Sequence, residues 1–74
     1  MRNINTIASE ILIDWKTVNY AAKPYLAAMR DLETMQDTYY QDDAQSVVRY
    51  FLANAGSWRG DVARRVKAEL KGML

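Results

Sequence analysis

Catalysis needs a nucleophile, a base or a set of metal ligands, and this chain is short of all three. It contains no cysteine and no histidine, which removes thiolate ligation, disulfide bridging and imidazole acid–base chemistry. Ser9, Ser46 and Ser57 stand in no motif that supplies a base. The stretch DTYYQDDAQ carries Asp37, Asp42 and Asp43, but it lacks the alternate-residue ligands and closing Glu of a calcium loop. Those carboxylates are expected to cap helices and keep the surface soluble. No glycine-rich phosphate loop occurs. The chain is therefore not read as an enzyme, and no catalytic residue, metal site or cofactor is expected.

Its polar chemistry lies instead in how charge is distributed. The net charge is +1, yet residues 31–43 hold Asp31, Glu33, Asp37, Asp42 and Asp43 with no base, while residues 57–74 hold Arg59, Arg64, Arg65, Lys67 and Lys71 against Asp61 and Glu69. The plainest expectation is two solvated faces that attract each other within the fold. At about 100° per residue, Arg64, Lys67 and Lys71 share one narrow stripe of a helix, with Gly60 at its N-terminal end. Such a stripe is a candidate contact for phosphate, though an ordinary solvated face is the plainer expectation. Arg59 points elsewhere on the same wheel, in line with Val62, Val66 and Leu70. Either the helix starts after Arg59, or its guanidinium is partly buried against a carboxylate, with Asp14 as one candidate. A structural ion pair is the expected use, since Arg suits bidentate pairing in a partly dry site. Trp58 is expected to cover one end of the core; exposed, it would be a binding hot spot beside Arg59.

Four apolar stripes must position these groups. Ile4, Ile7, Ala8, Ile11, Leu12, Trp15 and Val18 recur at helical spacing, with Asn3 or Asn5 as the N-cap. Pro24 suits the first turn of a second helix, whose stripe is Tyr25, Ala28, Met29, Leu32 and Met35, extending toward Tyr39. Asp42 or Asp43 can cap a third, built on Ala44, Val47, Val48, Phe51, Leu52 and Ala55. Gly56 stands where a left-handed residue often ends a helix, and Ser57 can cap the fourth, lined by Val62, Ala63, Val66, Leu70 and Met73. On this reading Arg59-Gly60-Asp61 is a helix start with Asp61 at its positive end, and not an adhesion signal.

The expected fold is thus all-α: a compact bundle of four short helices at about 4–18, 23–37, 43–55 and 58–72, in one domain spanning residues 1–74. Its core would hold Ile7, Ile11, Trp15, Met29, Leu32, Val48, Phe51, Leu52, Val66 and Leu70. A chain this small has a thin stability margin, so a homodimer through Tyr20, Tyr40 and Tyr50 is a further expectation. The segment MRNINTIASEILIDW interrupts its apolar residues with Glu10 and Asp14. It reads as neither a signal peptide nor a membrane span, and a cytoplasmic protein without membrane contact is expected.

Two segments, NYAAKPYLAAM and VVRYFLANAGSWRGDVARRVKAEL, resemble a group of small proteins from anaerobic gut bacteria, their phages and their conjugative elements. The shared pattern is A-x-PYL-x-AM followed by YFL-x-NA-x-x-WRG-[DE]-x-AR, and it covers roughly residues 15–70. No activity is assigned to that group, so the resemblance implies a mobile-element accessory protein and draws attention to Tyr50, Asn54, Trp58, Arg59 and Gly60 without giving them roles. Together with the charge layout, it leads to a non-enzymatic macromolecule-binding protein, an interaction module whose partner is a protein. The alternative is a nucleic-acid-binding accessory protein that uses the basic face of helix four, through Arg64, Lys67 and Lys71. The third helix, Gly56 and the fourth helix outline a helix-turn-helix, although Leu52 stands where that motif wants a small residue and Arg65 where it wants an apolar one.

Overall fold

The computed structural model describes residues 2–40 and 42–74. Four helices form the globule: α1 (Ile4–Asp14), α2 (Lys23–Met29), α3 (Ala44–Ala53) and α4 (Asp61–Met73). A minimal hairpin, β1 (Thr38–Tyr39) and β2 (Asp42–Asp43), precedes α3. It pairs antiparallel in the register Thr38 to Asp43 and Tyr39 to Asp42. The architecture is mostly helical, and the strictly all-α expectation is corrected by this hairpin.

The apolar stripes close on one another as their spacing demands. α1 lies against α4 and α2, and α2 lies against α3. Of the expected core, Ile7, Ile11, Trp15, Met29, Leu32, Val48, Phe51, Val66 and Leu70 are buried, and Leu52 is partly so. Ile4, Leu26, Val47 and Trp58 join them. α4 is paired mainly with α1 and α3 with α2, so α3 and α4 are not the packed pair that a helix-turn-helix requires.

Helix ends depart from the expected bounds for identifiable reasons. The first two N–H groups of α1 are capped from a distance: Ile4 N donates to the Glu33 carbonyl (2.8 Å) and Asn5 N to the Leu32 carbonyl (2.9 Å). Asn3 occupies the N-cap position but makes no side-chain bond. Those two carbonyls are thereby unavailable to a longer α2. The Asp37 carboxylate accepts from the N–H groups of Glu33 (2.9 Å) and Thr34 (3.1 Å), and so competes with the helix for the backbone. The second helix therefore stops at Met29 instead of reaching residue 37. α1 likewise ends at Asp14, four residues before the expected bound, because Trp15 leaves helical geometry at φ −90°, ψ 88°.

Asp43 is the cap of α3, its Oδ1 accepting from Ser46 N at 2.7 Å. Gly56 does not take a left-handed conformation, and Ser57 does not cap α4. That role falls to Gly60, at φ 116°, ψ −178°, a region essentially closed to side-chain-bearing residues. Pro24 sits in the first turn of α2, as expected.

A four-residue charge lattice ties α1 to α4. Arg2 reaches Glu10 (2.8 Å) and Glu69 (Nε to Oε2, 3.0 Å), and Arg65 also pairs with Glu10. Hydrogen bonds from Arg65 and Arg2 hold the Glu10 carboxyl below its ordinary range, and Arg2 does the same for Glu69.

Two outcomes are expected in urea titrations. Gly60→Ala forces an alanine into the positive-φ extended region and should cost about 1–3 kcal/mol, whereas Gly56→Ala, whose added Cβ meets nothing within 4 Å, should be neutral or stabilising by up to about 1 kcal/mol. The second outcome is an acid dependence. Folded-state values of Glu10 and Glu69 below the unfolded ones mean that their contribution is complete above about pH 5 and is lost as pH falls through ~4 and below. The urea midpoint should drop between pH 6 and pH 3, and Glu10→Gln should make that drop shallower.

Candidate functional site

The loop between α3 and α4 is organised by Trp58. Its backbone N–H donates to the Ala55 carbonyl (3.1 Å). The indole stacks on Trp15 with centroids 5.7 Å apart and planes 10° from parallel, and its Nε1 donates to Asp14 Oδ2 at 2.8 Å. At 2 % exposure the ring is part of the core, which fulfils the structural expectation for Trp58 and excludes it as an exposed hot spot. Arg59 is then thrown outward, and Gly60 turns the chain into α4.

Immediately outside this anchor lies a cavity of about 380 Å³. Its small-residue wall is Gly56, Gly60 and Ala63, its back is Trp58, and Arg59, Arg64 and Lys67 line the rest. No acidic side chain lines it. Lys67 Nζ donates to the Trp58 carbonyl (2.6 Å) and stands 5.8 Å from the centre of the indole. Burial, then the charges of Lys71 and Arg59, pull the Lys67 ammonium below its usual range. An anion entering the cavity would relieve that repulsion, since opposite charge favours the protonated amine. Arg64 is held only by a long contact to Asp61 (3.4 Å), both groups being open to solvent, and such pairs exchange partners at little cost.

Trp58, Arg59, Gly60, Arg64 and Lys67 converge on one cavity, while Lys71 lies one turn beyond Lys67 and does not line it. Tyr50 and Asn54 are not part of it. The Tyr50 ring packs on Tyr25 with centroids 5.4 Å apart. Asn54 donates to the Tyr50 carbonyl (2.8 Å) and accepts, through its own carbonyl, from Asn19 Nδ2 (3.2 Å). Tyr50 thus joins α3 to α2, and Asn54 joins the end of α3 to the α1–α2 connection. The expected Arg59–Asp14 ion pair is also corrected. α4 begins after Arg59, Arg59 is exposed, and none of the ion pairs among the described residues includes it; Asp14 serves Trp58 instead.

The expected attraction between the acidic and basic segments does not take the form of ion pairs: among the described residues none joins 31–43 to 57–74. The acidic segment sits beside the start of α1 and the far end of α4, where Glu33, Thr34 and Gln36 share a second cavity with Met73 and Arg2. One feature had no sequence signal strong enough to find it: a groove of about 190 Å³ between α1 and α2, walled by Leu12, Val18, Leu26 and Ala27 with Lys23 and Arg30 beside them.

No helix is long and apolar enough to cross a membrane among the described residues. In comparisons with known proteins, no family, curated protein or solved structure matches this chain.

The division of roles between Asp14 and Arg59 can be measured. Asp14→Ala leaves a core indole N–H without its acceptor and should cost about 1–2 kcal/mol, while Arg59→Ala should change stability by less than ~0.5 kcal/mol, as at other exposed sites. Urea denaturation followed by tryptophan fluorescence reads both; equal losses would return Arg59 to a structural role.

Proposed function

We propose that this chain is a small non-enzymatic protein that binds another protein, and that the basic cavity at the start of α4 receives an acidic segment of that partner. The observation that carries this reading is the convergence of Arg59, Arg64 and Lys67 on a cavity of about 380 Å³ that no carboxylate lines. The cations are placed by a rigid element, because the loop that carries Arg59 is pinned by the buried Trp58 and Arg64 and Lys67 belong to α4. Small residues at the wall allow a carboxylate to approach closely, and the remaining N–H groups of Lys67 and the guanidinium forks of Arg59 and Arg64 can meet it with charge-assisted bonds.

The resemblance in the YFLANA…WRG region adds the setting of a mobile element, with the partner a host or element-encoded enzyme that the protein modulates in the cytoplasm. Nucleic acid is the competing partner, through the stripe Arg64, Lys67 and Lys71. It is less well supported, because so short a row of cations releases few counterions and sustains binding only near ~10⁻⁴ M at physiological salt. The five carboxylates of residues 31–43 would also repel an extended polyanion in so small a domain.

The two partners separate in one titration series. A fluorescent Glu-rich peptide and a 20-base-pair duplex are titrated with the protein at 50 and 150 mM salt. The peptide should bind, and an Arg59/Arg64/Lys67 triple-Ala variant of unchanged helicity should weaken it tenfold or more; the duplex should stay near ~10⁻⁴ M at the higher salt. A duplex affinity tighter than ~10⁻⁷ M that the same variant abolishes would make nucleic acid the partner.

A further inference from the structure

The groove between α1 and α2 lies outside the basic cavity and shares no residue with it. Its floor is the buried Leu26 with the partly buried Val18, and its sides are Leu12, 40 % exposed, and Ala27. Ile13, next to Leu12, is 72 % exposed. Helical spacing explains why the groove is open. Lys23, Ala27 and Arg30 follow one another at i, i+4 and i+7, so the outer face of α2 presents a short side chain between two long cationic ones. Neither Lys23 nor Arg30 takes part in the ion pairs of the described residues, and no acid lines the groove. At about 190 Å³ it is smaller than the ~300–1,000 Å³ of small-molecule pockets, and of a size for an apolar side chain delivered by a larger partner.

We propose that this groove is a docking site for an amphipathic acidic helix of a partner protein, which seats a leucine-like side chain over Leu26 and Ala27 and sets one carboxylate against Lys23 and another against Arg30. The charge pattern fixes the spacing of the occupant. Lys23 and Arg30 are seven residues apart along α2 and its C-terminal turn, about 10 Å at the helical rise of ~1.5 Å per residue. Two glutamates at i and i+7 of a facing helix span the same distance, with the apolar anchors at i+3 and i+4 falling between them on the same face. The apolar contact supplies affinity in the groove, and the two ion pairs set register and reject basic helices. This inference concerns a separate face and stands whether or not the cavity at α4 binds an acidic segment.

The test uses the full chain and a synthetic helix of Ala and Gln residues carrying Glu at i and i+7 and Leu at i+3 and i+4, followed by anisotropy and by two-dimensional NMR. Binding should shift the resonances of Leu12, Val18 and Ala27. It should weaken tenfold or more with the peptide's Leu residues changed to Ala, and with the Lys23→Glu/Arg30→Glu variant, which should in turn accept the Lys-for-Glu version of the peptide. Ala27→Phe, which fills the groove from an exposed position, should abolish the shifts at Leu12 and Val18 at unchanged helicity, whereas the shifts of Leu12, Val18 and Ala27 should persist in the Arg59/Arg64/Lys67 triple-Ala variant, whatever acidic peptide the cavity at α4 also takes up. No binding, equal binding by the charge-reversed variant, or shifts confined to Trp58–Lys67 would overturn the proposal. So would concentration-dependent self-association lost in Ala27→Phe, which would assign the groove to a second copy.

Discussion

One indole holds the two halves of this protein together. Trp58 lies in the loop between α3 and α4, yet its stacking partner, Trp15, and its hydrogen-bond acceptor, Asp14, lie at the end of α1. Trp15 in turn meets Phe51 of α3 edge-on at 6.2 Å, so the pair bridges α1, α3 and the start of α4. Aromatic pairs of this kind contribute about 0.5–1.5 kcal/mol beyond the area they bury, which matters in a chain whose core is near the lower limit for independent folding. The geometry of the basic cavity follows directly. With the indole fixed inside, the next residue must leave the core, Gly60 must take the conformation that only glycine accepts readily, and α4 begins with its cations on the rim.

A second constraint acts at the opposite end, through backbone groups. A helix start leaves N–H groups unpaired, and α1 has no side-chain cap of its own. The chain after α2 supplies the missing acceptors from Leu32 and Glu33, and Asp37 folds that segment into a turn by taking the N–H groups of Glu33 and Thr34. Backbone donors lower the Asp37 carboxyl, and likewise that of Asp43 at the start of α3. Thus two carboxylates of the acidic stretch serve the local chain and do not neutralise the basic end of the molecule. Cations gather at the start of α4, where Arg59, Arg64 and Lys67 share a cavity, while beyond its end Glu33 shares one with Arg2.

How much of this was legible differs from place to place. The third and fourth stripes were read with little error, because Ala44 to Phe51 and Val62 to Met73 line one face of uninterrupted helices, and Ala55 is buried just past the end of α3. The second was overextended since Met35 and Tyr39 satisfy helical spacing from Tyr25 onward, yet they reach the core from a turn and a hairpin, and periodicity alone does not distinguish these routes. The same limit applies to Arg59: its place on the wheel of α4 has meaning only if the helix includes it, and the helix starts two residues later. Asp14 was rightly drawn to the WRG segment, but a carboxylate near both an arginine and an indole N–H has two possible donors, and sequence does not choose between them. The α1–α2 groove was hidden for another reason. Its cations and apolar residues come from two elements, and Leu12, a member of the apolar stripe of α1, stays 40 % exposed beside the short Ala27 of α2.

The two cation-bearing hollows differ in the kind of discrimination they can achieve. In the cavity at α4, Lys67 is already desolvated and bonded to a carbonyl, so an incoming anion meets at least one partner whose position is preset and loses less entropy on binding. Its walls offer glycine and alanine, which set a size limit but contribute little apolar contact. In the α1–α2 groove the order is reversed: the aliphatic floor is rigid and the flanking Lys23 and Arg30 are exposed side chains that must be ordered on contact, at about 0.5–1.5 kcal/mol each. As a binding site the first hollow would therefore select mainly by charge and be the more sensitive to salt. The second would select by the coincidence of an apolar side chain with correctly spaced acids, and its affinity should persist better as ionic strength rises.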